Sequence, residues 1–165
     1  MNRIEKLDSI RTTAGIHADR IKIAFKHLHS LLPFTADNIQ TITEEDLGFL
    51  ELLTSRFAKL QDLIGSKIFP LLLDLAQENI QELSTLDRLN KLEKLGLLPS
   101  AKEWIDMRTI RNLVTHEYPD QPQVMAEQLD KIINEAQRLL SYWEYLNAEI
   151  DKIKASFIQQ TNQTN

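Results

Sequence analysis

Apolar residues recur along the chain at three- and four-residue steps, the spacing that gathers side chains on one face of a helix. Ile4, Leu7 and Ile10, then Ile21, Ala24 and Leu28, continuing to Leu31 and Leu32, predict a long first helix that stops near Pro33. Thr43 with Asp46 three residues on has the form of a capping box and opens a second helix, whose apolar face includes Leu50, Leu53, Phe57, Leu60 and Ile64. Gly65 and Pro70 interrupt that face before FPLLLDLAQENI resumes it, so one kinked helix or two segments are expected there. Ser84 or Thr85 starts a short helix closed by Gly96. Ser100 and Glu103 repeat the capping pattern and launch a helix with Trp104, Ile105, Ile110, Leu113 and Val114 as its expected buried side, ended by Pro119. After PDQPQ a last helix runs through Met125, Leu129, Ile132, Ile133, Ala136, Leu139, Leu140, Trp143, Leu146 and Ile150, then decays into QQTNQTN.

Only four glycines and five prolines interrupt this pattern, which leaves few places to turn. The expected fold is all-α, an antiparallel four-helix bundle with an additional short helix. One helical domain over 1–158 and a polar tail over 159–165 account for the chain, and 165 residues suffice for a single sizeable core.

Composition narrows the chemistry. No cysteine is present, which removes disulfides, thiolate metal sites and cysteine nucleophiles, and fits a reducing cytoplasm. The charged start MNRIEKLDSIR has no apolar h-region, and no apolar run approaches the ~20 residues a membrane span needs, so a soluble cytoplasmic protein without membrane contact is expected. A net charge of −5 repels phosphate over the molecule as a whole. Contact with nucleic acid then requires a local basic cluster.

Glycines do not cluster, so neither a P-loop, a dinucleotide fingerprint nor a serine nucleophile elbow is present. Of the histidines, His17, His27, His29 and His116, no two stand one helical turn apart in an HExxH pair, and His27 and His29 point to different faces. No metal and no other cofactor is expected. Glu44, Glu45 and Asp46 read as the acidic first turn favoured by the helix dipole. Arg88, Lys91 and Lys94 form a basic stripe, a solvated face unless the short helix borders a phosphate-binding cleft.

The stretch RNLVTHEY, residues 111–118, differs from this background. His116 stands just before the helix breaks at Tyr118-Pro119, and imidazole exchanges protons near neutral pH. Arg111 supplies a permanent planar charge suited to phosphate oxygens, and Arg108 lies one turn earlier. Spacing alone leaves two readings open. The pair suits phosphoryl-transfer chemistry, but five residues rotate an ideal helix by roughly 140°, and both cations also suit a helix C-terminus.

Arg111 and His116 form Arg-x4-His, Asn112 follows the arginine, and Tyr118 completes Arg-x4-His-x-Tyr at the end of a bundle helix. In this the chain resembles the HEPN superfamily, in particular the ribonuclease toxins whose partner is an MNT-type nucleotidyltransferase antitoxin. The likeness extends to Arg56-Phe57-Ala58-Lys59-Leu60-Gln61-Asp62 and to Leu95-Gly96-Leu97-Leu98-Pro99 ahead of Trp104. The resemblance implies a homodimer that cleaves an RNA substrate without a metal, with the motif helices of two subunits lining one cleft. It implies His116 as general acid/base, Arg111 as stabiliser of charge on the reacting phosphate and Asn112 as an orienting residue. Arg108 and the stripe Arg88, Lys91 and Lys94 are candidates for RNA backbone contacts. Tyr118 matches the acceptor of AMP groups transferred by the antitoxin. The alternative is a non-catalytic HEPN-like substrate-binding or regulatory subunit of a small nucleotidyltransferase.

Overall fold

The computed structural model describes residues 1–113 and 120–163, all helix and connection, with no strand among them. In chain order the helices are α1 (Arg3–Leu28), α2 (Ala36–Gln40), α3 (Glu44–Leu63), α4 (Phe69–Leu75), α5 (Thr85–Lys94), α6 (Ala101–Leu113) and α7 (Pro122–Gln163). A 3-10 turn, His29–Leu31, follows α1, and a π turn, Ile64–Ile68, joins α3 to α4.

Their starts follow from side chains that satisfy orphan N–H groups. The Thr43 hydroxyl accepts from Asp46 N–H at 3.1 Å and donates to the Asp46 carboxylate at 2.7 Å. Ser84, not Thr85, caps α5 and takes the N–H of Asp87 at 3.1 Å. Ser100 accepts from Glu103 N–H, but the Glu103 carboxylate reaches across to Arg138 at 3.0 Å instead of returning to the cap. At the other end of α5, Gly96 adopts φ 73° and lets Leu97 N–H reach the carbonyl of Leu92.

Rods that follow one another along the chain pack antiparallel, and so do the first and the last. His17 on α1 faces Arg56 on α3, while His27, further along α1, stacks on Phe49, earlier in α3. Along α7 the order likewise reverses, with Asp8 bound to Lys154, Arg11 to Asp151 and Lys22 to Glu144. Asp62 and Gly65 meet Arg111 and Trp104 in descending order along α6. Four rods, α1, α3 with α4, α6 and α7, therefore run up, down, up, down around one core that includes Leu7, Ile21, Leu53, Phe57, Ile132 and Leu146.

Three details depart from the periodicity reading. The short helix α2 lies in the connection after Pro33, where Phe34 and Ile39 are buried and Phe34 N–H is bound by Asp130. Ile105 is exposed, because the core stripe of α6 is Ala101, Trp104 and Met107, and the next residue after Trp104 is turned about 100° away from it. The last helix continues through Gln163, into the polar stretch expected as a tail.

The interruption at Gly65 and Pro70 is a π turn. Pro70 carries no N–H for an α-helical bond, and Phe69 N–H bonds instead to the Ile64 carbonyl, five residues back. One extra residue is thereby fitted into a continuous helical rod. Gly65 lies against Trp104, so that a Cβ there would stand 3.4 Å from the indole.

Candidate functional site

Trp104, Arg108 and Arg111 follow one another at helical intervals and share a face of α6. That face meets the end of α3 and the π turn, and between them lies a cavity of about 210 Å³. Arg108 and Arg111 line it together with Gln61, Asp62, Ser66 and Trp104. Phe69 backs the indole, the two rings 4.9 Å apart and tilted.

Arg111 is mostly buried along its stem, at 21% side-chain exposure. Its Nη1 stands 4.0 Å from Asp62 Oδ1, at the outer limit of an ion pair, and the Asp62 carboxylate is largely in solvent. Such a contact is worth little, so the guanidinium is tethered but has further donors not engaged by the described residues. Arg108 is exposed and has no ion-pair partner among the described residues. Asn112 is exposed on the following position of α6. His116 and Tyr118 lie outside the described residues.

Gln61 is the feature that sequence reasoning passed over. The residue is 1% exposed, and neither Oε1 nor Nε2 has a hydrogen-bond partner among the described residues. A buried amide left unpaired costs on the order of 1–3 kcal/mol. A readable sign was present: the apolar stripe runs through Phe57 on α3 to Ile64 in the π turn, and Gln61 stands inside that stripe.

The basic stripe of α5 is drawn largely into internal bonds. Arg88 donates to the Ile80 carbonyl at 2.9 Å and leaves its buried Nε unpaired, and Lys91 is bonded to Glu78. These two hold the connection from α4 against α5. Lys94 alone of the three is exposed. Thr85, at the start of α5, reaches the rim of the Arg111 cavity, whereas Lys91 and Lys94 line a separate one.

A larger cavity of about 580 Å³ lies between α6 and α7, beyond Trp104, and holds none of the predicted site residues. There Arg138 is fixed between Glu135 and Glu103, both at 3.0 Å, and its charged form is favoured chiefly by Glu135. Tyr142 donates to the Leu97 carbonyl at 2.7 Å, and burial pushes its phenol well above the usual range. Its hydroxyl thus serves as a structural clasp between α7 and the turn before α6.

Among the described residues no three His, Asp or Glu side chains stand together as a metal-binding group, and no helix is long and apolar enough to cross a membrane. No family model, curated protein or solved structure matches the chain.

Proposed function

We propose that the chain is a metal-independent endoribonuclease toxin of a HEPN/MNT pair, neutralised by nucleotidylylation of Tyr118 by its partner transferase. One observation supports this reading above others. Arg108 and Arg111 converge on one cavity wall at the part of α6 that leads directly, in sequence, to His116. Guanidinium donors combined with a proton-transfer group are what phosphodiester cleavage requires.

In this mechanism the ribose 2'-oxygen attacks phosphorus, the 2'-hydroxyl proton passes to one histidine, and the departing 5'-oxygen takes a proton from another. The products are a 2',3'-cyclic phosphate and a free 5'-hydroxyl. RNLVTHEY supplies one histidine per chain, and a symmetric dimer brings two. Arg111 compensates the charge that grows on the phosphate, and Asn112 orients the reacting groups. Nucleotidyl groups on Tyr118 place phosphate beside Arg111 and compete with substrate for it.

A second reading retains one observation in its favour. With Arg88 and Lys91 bonded internally, the surface offers a short track for an RNA backbone, as suits a regulatory subunit of a nucleotidyltransferase.

Purified protein in EDTA should cleave RNA and leave cyclic-phosphate ends. His116→Ala should lower the rate by about 10²–10⁴ and Arg111→Ala by about 10²–10³. Expression alone should arrest growth, and both variants should relieve it. Toxicity that persists in both, or cleavage that requires a divalent ion, rejects the nuclease. Tyr118→Phe should remain toxic yet escape silencing by the transferase with ATP and magnesium, and equal silencing of the variant would rule out the tyrosine as acceptor.

A further inference from the structure

We infer that the cavity beside Arg111 is a base-reading subsite, in which the carboxamide of Gln61 takes the hydrogen-bonding edge of one nucleobase while Arg108 and Arg111 hold the adjoining phosphate. The choice of a nucleotide as ligand rests on the ribonuclease reading.

Gln61 is among the residues lining the cavity and is 1% exposed; its Nε2 and Oε1 have almost no accessible surface and no partner among the described residues, so a base meets them once the side chain turns into the opening. Its neighbours are Phe57 and Leu60 on α3 and Ile64 at the start of the π turn, all fully buried, so the position is built for hydrocarbon and holds an amide instead. An amide needs a ligand that accepts from Nε2 and donates to Oε1 at once. A phosphodiester only accepts and would leave Oε1 unpaired. A nucleobase edge presents a donor and an acceptor side by side in one plane, the pattern that a glutamine carboxamide reads bidentately.

The walls agree with a flat, partly apolar ligand. Trp104 from α6 and Phe69 from the start of α4 supply aromatic lining, with Gln61 from α3 and Ser66 from the π turn beside them. Unpaired RNA bases are commonly read this way, splayed out against aromatic side chains and hydrogen-bonded on their edges. Arg108 and Arg111 line the cavity from the same face of α6 as Trp104, and Asp62 loosely holds the second of them. A nucleotide thus finds an edge reader on α3 and a phosphate clamp on α6.

Because a carboxamide can turn over, the four bases are compared directly. The full chain, labelled with nitrogen-15, is titrated with each of the four ribonucleoside 3'-monophosphates and with ribose phosphate as a control without a base. The side-chain NH2 resonances of Gln61 and the dissociation constants are read together. One nucleotide, or the pair that shares an edge pattern, should bind roughly tenfold or more tighter than ribose phosphate and should shift those resonances. Gln61→Leu should reduce its affinity to that of ribose phosphate. Gln61→Glu, which keeps the acceptor and loses the donor, should change which base is preferred and covers the case in which the leucine variant does not fold. Equal binding of all five ligands, no binding, or a preference that survives both variants overturns the subsite. Oligoribonucleotide cleavage measured in parallel separates the two readings. Base-selective binding without cleavage retains the subsite and rejects the nuclease, whereas cleavage with a base preference indifferent to Gln61 does the reverse.

Discussion

At Gln61 a hydrocarbon side chain would make the more stable protein. Gln61→Leu removes two unpaired buried polar atoms at nearly constant volume and should raise the free energy of unfolding by about 1–3 kcal/mol. Urea denaturation at matched m-values checks this, and a loss of stability would mean that ordered water satisfies the amide. Stability sacrificed at a binding position is a familiar cost of function. His17 carries a second residue-scale prediction. Arg56 donates to its Nδ1 at 3.0 Å, which requires that nitrogen to be unprotonated. Burial first, then repulsion by Arg56 and Lys59, holds its pKa below the ordinary 6.5. The unfolded chain therefore binds a proton there that the folded chain refuses. This contribution is complete above pH 6.5 and is lost as pH falls from there through the lower folded value. His17→Gln should flatten that part of the profile when unfolding is compared at about pH 7.5 and about pH 5.5, and parallel profiles for the two proteins would refute it. Neither residue announced itself by type. Gln61 was legible only as a polar letter inside an apolar stripe, and His17 required the register of α1 against α3.

Two helix ends share one geometry with different residues. After α5, Gly96 at φ 73° allows Leu97 N–H to reach the Leu92 carbonyl; after α4, Gln77 at φ 60° allows Glu78 N–H to reach the Leu73 carbonyl. The left-handed conformation costs an ordinary side chain about 1–2 kcal/mol relative to glycine. Gln77→Gly should accordingly stabilise the protein by about 1 kcal/mol, and Gly96→Ala, which meets no steric obstacle, should destabilise it by a similar amount. Chemical unfolding of the two variants tests both signs. Glycine made the first of these caps readable from sequence, and glutamine hid the second. The same contrast explains the elements. Thr43, Ser84 and Ser100 announced their helices through capping side chains, but the π turn followed from a hydrogen-bond rearrangement around Pro70 that periodicity registers only as an interruption. In α6, three-residue spacing pointed to the correct helix and misplaced Ile105, because the stripe turns toward Met107 where the helix meets both α3 and α7.

On the scale of the molecule, several of the basic side chains are bonded within the fold. With Arg88 and Lys91 bonded to the α4–α5 connection, Arg108 and Arg111 are the cations that line the proposed site. Binding of a short single-stranded RNA to the His116→Ala protein should then depend weakly on salt, with a slope near −1.4 for about two phosphate contacts per site. A slope several times steeper would require a longer basic track. The mechanism also requires two subunits, so light scattering at assay concentration should give twice the chain mass. Mixed His116→Ala and Arg111→Ala subunits should show activity that departs from the sum of the separate proteins, and simple additivity would indicate independent sites.

The bonds between α1 and α7 join the first helix to the last: Lys154 holds Asp8, and Asp151 and Asn147 hold Arg11. A ribosome makes α1 well before α7. As synthesis proceeds, α1 can pair with α3 early, but its second neighbour leaves the ribosome only when nearly the whole domain has been made. The bundle therefore closes after translation of α7, and the nascent chain carries an open, incomplete fold until then.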